Sequence, residues 1–335
     1  MTSIKLLVPR MPHRTALFKY LRRIDESLWY TNFGPLEREL RARLEEKYGA
    51  HVVTVSSCTA GLELMYRHVY DSACGEPIDE SDRPSIALPA LTFAATALAA
   101  HREGLRVELE DVDPNEWTHP AVAGFGLPAL GRWVDAAAAF GEQQVFPGQT
   151  AVFSLHATKA VGAGEGGYIV THDARLAEKF RRQTNFGFDG GVSVEWGTNA
   201  KLSEYAAAIA LASLDAWDRE PWLRLHDWYK RYLPPTVTQQ QRPRGVYPIL
   251  AVLVPKGVLV ESVVAKMAAA GIETRRWYCP ILSLHPLFFG RKSGDLPVTN
   301  DISQRLIGLP YHLFLTEESV ACVCGILNEV IRSLS

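Results

Sequence analysis

The sequence is short of the features that would direct it to a membrane, a metal or a nucleic acid. No apolar run approaches the roughly 20 residues that a membrane helix needs. The hydrophobic stretch within Met1–Arg10 is far too short for a signal peptide, so a cytoplasmic location is expected. The 35 basic and 37 acidic side chains nearly cancel, which leaves a formal charge of -2 and no basic excess for nucleic acid or anionic lipid. Five cysteines, Cys58, Cys74, Cys279, Cys322 and Cys324, form no C-x-x-C pair and make an odd set. Neither a disulfide framework nor a zinc site is expected from them. The histidines never recur four residues apart. Internal repeats and low-complexity linkers are missing too.

What is present is a chain of 335 residues, enough for a large α/β part and a smaller second one. Pro35, the stripe Leu36, Leu40, Leu44 and Tyr48, and Gly49 open, build and stop a first helix. Strands are expected at Val52–Ser56, Ser85–Leu88, through Val107, Leu109 and Val112, at Trp133–Val134, Ala151–Leu155 and Tyr168–Val170. Helices fall between them: Thr59 to Tyr70, an Ala-rich one ending at Gly104, one capped by Asp173 and one from Ser203 to Trp217. This alternation predicts a mostly parallel sheet covered by helices on both faces. After Pro234 the pattern changes to a strand at Val246–Val254, a helix at Leu259–Ala270 and a closing helix, Glu317–Leu334, capped by Thr316. The expected division is therefore 1–234 and 235–335, the second part small and α+β.

The run Gly162-Ala163-Gly164-Glu165-Gly166-Gly167 formally satisfies G-x-G-x-x-G. A dinucleotide fingerprint needs a helix after it, and here a strand pattern, Tyr168–Thr171, follows, so that reading fails. Just upstream, Lys159 lies between a strand end and the glycines. Partial desolvation there would lower its pKa and suit a Schiff-base nucleophile, although a lone lysine is usually a solvated surface residue. Asp135 closes the strand Trp133-Val134 ahead of small residues. It suits an acid that protonates a cofactor's pyridine nitrogen, although an aspartate so placed is more often a helix N-cap. Ser56-Ser57-Cys58-Thr59-Ala60-Gly61 joins a strand to a helix, where amides and a hydroxyl hold phosphate or simply cap the helix.

Six runs in order carry a resemblance. They are Ser57–Leu62, Pro89–Thr96, Asp135-Ala136-Ala137, Phe153–Lys159, Gly164-Glu165-Gly166-Gly167 and Gly197–Lys201. Together they resemble the DegT/DnrJ/EryC1/StrS family of sugar aminotransferases over nearly the whole chain. The resemblance implies a fold-type I pyridoxal-phosphate transferase with a smaller C-terminal α+β part. It makes Lys159 the Schiff-base lysine and Asp135 the partner of the pyridinium nitrogen. It assigns Thr59, Ala60 and Ser154 to the phosphate and Phe93 to stacking on the ring. Asn199 would reach the phosphate of the other subunit, which implies a homodimer with shared active sites.

Two departures stand out. Ala138 occupies the position where the family has a Gln or His for the ring hydroxyl, and the chain from Asp113 to Asp135 is shorter than usual. The runs Thr31–Pro35 and Asn185–Gly190 look closest to members that aminate 4-keto-6-deoxy sugars. The expected reaction is amino transfer, from glutamate, to a nucleotide-linked keto-sugar for polysaccharide or natural-product synthesis. The alternatives are a pyridoxal-phosphate enzyme of ordinary amino acids, or a weakly catalytic cofactor-binding regulator. Arg182, Lys201 and Arg275 are candidate cations for the substrate phosphates, or solvated charges.

Overall fold

The computed structural model describes residues 3–73 and 83–334; Cys74 lies outside them, and the other four cysteines are free thiols. A helix not foreseen from the sequence comes first, α1 (Arg14–Ser27). Its usual boundary signals are missing. It is capped weakly by the His13 ring, 3.4 Å from the Thr15 amide, and it ends at Leu28 rather than at a glycine. Helix α2 (Pro35–Tyr48) begins at Pro35, stops at Gly49 and buries Leu36, Leu40 and Leu44 as expected.

Strand β1 (His51–Val55), α3 (Cys58–Ala73), β2 (Ser85–Pro89), α4 (Ala94–Arg102) and β3 (Arg106–Glu110) follow in the predicted order. Next come β4 (Trp133–Asp135), β5 (Thr150–Ser154), β6 (Gly167–Thr171) and α5 (Ala174–Gln183). A short hairpin, β7 (Phe188–Asp189) and β8 (Val192–Ser193), precedes α6 (Glu204–Asp215), whose first turn is capped by Ser203. The order then runs α7 (Glu220–Tyr232), β9 (Thr238–Gln239), β10 (Leu250–Leu253), α8 (Val260–Ala269), α9 (Pro297–Arg305), β11 (Leu306–Leu309) and α10 (Glu317–Arg332). None of the described helices is long and apolar enough to cross a membrane.

The sheet is mixed rather than mostly parallel. Its order is β1-β6-β5-β4, with β6 antiparallel to both neighbours and only β4 parallel to β5. The cause is the β5–β6 connection: it contains no crossover helix, so the chain turns straight back on itself. Strands β2 and β3 pair in parallel as a separate two-stranded piece. Between the pieces lies the shortened segment, which forms a 3-10 turn at Gly124–Gly126 and isolated bridges of Val122 to His119 and to Asp135.

Alternation along the strands sends neighbours to opposite faces. Val52, Phe153, Tyr168 and Val170 join a core with Leu40, Leu44 and Leu211 from α2 and α6. Val53, Val55, Val152 and Ile169 join another with Leu62, Met65, Ala97 and Phe180 from α3, α4 and α5. Each of the Val, Leu, Ile, Met and Phe side chains among them contributes about 1.5–3 kcal/mol on burial.

The C-terminal strands form an antiparallel sheet, β11-β10-β9. The strand expected over Val246–Val254 is confined to Leu250–Leu253, because Pro248 has no amide to give a ladder. Helices α7 and α9 and strand β11 were not read from the sequence. Neither helix has a side-chain cap bond to mark its start.

Candidate active site

The loop from β5 to β6 presents Lys159. It is closed by backbone bonds from Leu155 N to Gly166 O (3.0 Å) and Ala157 N to Gly164 O (2.9 Å). At its end a Cβ on Gly167 would stand 2.8 Å from Cys58 N and 2.7 Å from Phe153 O. Glycine there lets β6 lie directly on the start of α3. The glycine run therefore shapes the lysine loop and leads into a strand.

Lys159 is half-buried. Among the described residues its ammonium forms no hydrogen bond or ion pair. Burial holds the amine below the ordinary lysine range, while Cys58 and Asp135 pull it back up. Asp135, at the end of β4, is 6 % exposed. Thr96 Oγ1 donates to its Oδ2 at 2.6 Å, and the Ala137 amide to its Oδ1 at 3.0 Å. Burial raises the carboxyl above its usual range, against the opposing pull of Thr96, Ala137 and Lys159. Lys159 and Asp135, far apart in sequence, thus sit within electrostatic reach of each other.

Thr96 is itself fully buried in α4, one turn after Phe93, and was given no role from the sequence. Its place in the Pro89–Thr96 run was the available signal. Phe93 stands at the N-cap of α4 with 61 % of its surface exposed, a large apolar ring left open. Thr59 and Ala60 lie half-buried in the first turn of α3, where the Ala60 amide bonds Ser57 Oγ at 3.1 Å. Ser154 is buried, and its Oγ accepts the His156 amide at 3.2 Å, which leaves its own proton free to donate.

Asn199 is exposed and pairs through its backbone with Asn185. No hydrogen bond among the described residues joins its side chain to Lys159 or Asp135. The next residue, Ala200, accepts the Ser56 amide at 2.7 Å and so ties this run beside the start of α3. Of the candidate cations, Arg182 is committed to Glu195 (2.8 Å) and Glu178 (3.3 Å), and Lys201 bonds Asn185 (2.8 Å). Arg275 is exposed and stacks on Trp277 at 4.7 Å.

A small cleft, open to solvent, lies beside Lys159. Its walls include Thr158, Tyr311 and a segment missed in the sequence, Leu7–Arg10. Among the described residues no cluster of three metal-binding side chains exists.

This donor set fits pyridoxal phosphate. An amine of lowered basicity meets an aldehyde carbon, a buried carboxylate suits a ring nitrogen, and an open aromatic suits a flat ring. Hydroxyls and the first amides of α3 suit a phosphate.

Known proteins of similar sequence and fold point to the same cofactor. The sequence profile of the DegT/DnrJ/EryC1/StrS aminotransferase family matches residues 13–122 and 130–328. Protein Rv3402c of Mycobacterium tuberculosis is 31 % identical, over 98 % of this chain and 90 % of its own length. The erythromycin biosynthesis sensory transduction protein EryC1 of Saccharopolyspora erythraea is 29 % identical, over 94 % of this chain and 95 % of its own. Among solved structures, DesI in the presence of its TDP-sugar product is 31 % identical, with a TM-score of 0.86 over 99 % of this chain and 94 % of DesI. On these likenesses the chain belongs to the DegT/DnrJ/EryC1/StrS aminotransferase family and is a pyridoxal-phosphate-dependent sugar aminotransferase.

Proposed function

We propose that the enzyme moves an amino group from glutamate to the ketone of a nucleotide-linked 4-keto-6-deoxyhexose, for polysaccharide or natural-product sugar synthesis. The observation that carries the reading is the approach of half-buried Lys159 to buried Asp135 in a chain so similar to DesI. A relative from Shigella dysenteriae, 23 % identical over 96 % of this chain and 97 % of its own, is a dTDP-4-amino-4,6-dideoxy-D-glucose transaminase, which supports the same substrate class.

When bound, pyridoxal phosphate supplies the carbonyl that carries the amino group and a sink for electrons. The protein residues supply the rest. Lys159 Nζ, which burial keeps more readily in the neutral form, takes and returns the proton at the reacting carbons. Asp135, fixed by Thr96 and Ala137, holds positive charge at the ring nitrogen. Phe93 covers the ring, and Thr59, Ala60 and Ser154 hold the phosphate. Asn199 completes that phosphate site from the second subunit of a cytoplasmic homodimer. In this reading residues 1–234 form the large part and 235–335 the small one, bridged by α7, which packs against α10.

The test is direct. Holoenzyme with glutamate and a panel of nucleotide-linked keto-sugars should yield an amino-sugar by mass spectrometry, and borohydride should fix the cofactor on Lys159 alone. Brisk exchange between simple amino and keto acids, with every nucleotide sugar inert, would overturn the substrate. A label on another lysine would overturn the site.

A further inference from the structure

We propose that Arg10 grips the anionic diphosphate of the nucleotide-linked substrate at the mouth of the Lys159 cleft, an assignment that rests on the substrate reading above. Arg10 lies outside the segment matched by the family profile, which begins at residue 13. Its position is nevertheless built. Ile4 and Glu273 exchange backbone bonds with their neighbours: Ile4 N donates to Gly271 O at 2.8 Å, and Glu273 N to Ile4 O at 3.0 Å. The Leu6 amide donates to Glu273 Oε2 at 3.1 Å, and Tyr311 N to Leu6 O at 2.9 Å.

His312 completes the anchor. The Phe314 amide donates to its Nδ1 at 3.3 Å, which leaves Nε2 to donate to Lys5 O at 3.1 Å. The ring is thus consumed by the strap and is not available to an anion. Beyond the anchor, Pro9 and Pro12 flank Arg10-Met11 and fix the backbone direction before α1 begins. The strap reaches the cleft pre-ordered.

Charge then singles out Arg10. Leu7, Val8, Pro9, Trp222 and Leu313 give the cleft apolar walls, and Lys159 is engaged in chemistry. Among the described residues lining it, Arg10 is the remaining group charged at neutral pH, exposed and without an ion pair. Arg182, Lys201 and Arg275 are not among its walls. A guanidinium fork matches phosphate oxygens bidentately, and a diphosphate held at Arg10 would lie along the same cleft wall as Lys159.

The test uses the holoenzyme with thymidine, uridine and guanosine diphosphates, their nucleosides and inorganic pyrophosphate, titrated by calorimetry. At least one nucleoside diphosphate should bind wild type more tightly than its nucleoside. Arg10→Ala should weaken that diphosphate about 10- to 100-fold and leave nucleoside binding and the cofactor's absorbance unchanged. Arg10→Lys should recover part of the loss, and Arg10→Glu should deepen it. Unchanged diphosphate affinity in Arg10→Ala would overturn the assignment while the substrate reading stands. If wild type binds no diphosphate better than its nucleoside or pyrophosphate, the substrate reading falls, and this assignment with it.

Discussion

Burial and hydrogen bonding pull on Asp135 in opposite directions. An ionised carboxylate with so little solvent is destabilised, and the donors Thr96 and Ala137 offset only part of that. Asp135→Asn removes the buried charge and keeps the shape. The apoprotein variant should therefore melt no lower than wild type, whereas turnover should fall by about two orders of magnitude or more, as when one charge-stabilising group is lost. Calorimetry and steady-state rates check the two halves; a lower melting temperature with turnover intact would show a merely structural aspartate. Lys159 and Asp135 could be found in the sequence because each sits in a compact local run. Thr96 and Arg10 could not, since what gives them meaning is a partner 39 residues away in one case and a cleft wall in the other.

Helix α1 shows the same limit among elements, because a long-range clamp does the work that caps usually do. Asp215, the last residue of α6, receives Lys19 (2.7 Å) and the Tyr20 hydroxyl (2.7 Å) from α1, and Arg43 (2.7 Å) from α2. Burial would raise its carboxyl, but the bonds from Lys19, Arg43 and Tyr20 win and bring it down from 3.8 to about 2. A depressed carboxylate stabilises the fold above its unfolded pKa and loses that contribution as pH falls through the folded one. The clamp should therefore be intact above pH 3.8 and released near pH 2. Asp215→Asn should lower stability at neutral pH by about 1 kcal/mol or less, since the cluster is partly exposed. Stability measured by denaturant from pH 5 to pH 2 should converge for the two proteins; a constant gap across that range would rule the clamp out. A second long-range cap acts on α2, whose Leu36 and Glu37 amides both donate to buried Glu204 at 2.8 Å. Pro35 and Gly49 revealed this helix in the sequence, but its capping residue lies in α6.

For the whole molecule the open question is how many chains make one site. If Asn199 completes the neighbour's phosphate site, Lys159→Ala and Asn199→Ala chains should each be inactive alone. After subunit exchange roughly one quarter of wild-type activity should return, because half of randomly assorted dimers are mixed and each holds one intact site. No recovery, or a monomer by light scattering, would remove Asn199 from the site. Most helices and most strands could be read from periodicity and caps, though α1, α7 and α9 could not; nor could the direction of β6, since nothing in a strand's own residues states which way it runs.

The shortened segment has one more consequence, for solubility. β4 closes one end of its sheet, and an open end offers unpaired amides and carbonyls to any passing strand. Here the Gly131 amide is taken by Pro120 O at 2.8 Å, the Asp135 amide by Ala121 O at 2.9 Å, and the Asp135 carbonyl by the Ala123 amide at 2.9 Å. Three bonds from a loop that makes no strand of its own are enough to blunt the edge. A variant trimmed further between Pro120 and Ala123 should lose solubility and turnover together, because the same peptide groups that seat Asp135 also keep a second molecule from adding to the sheet.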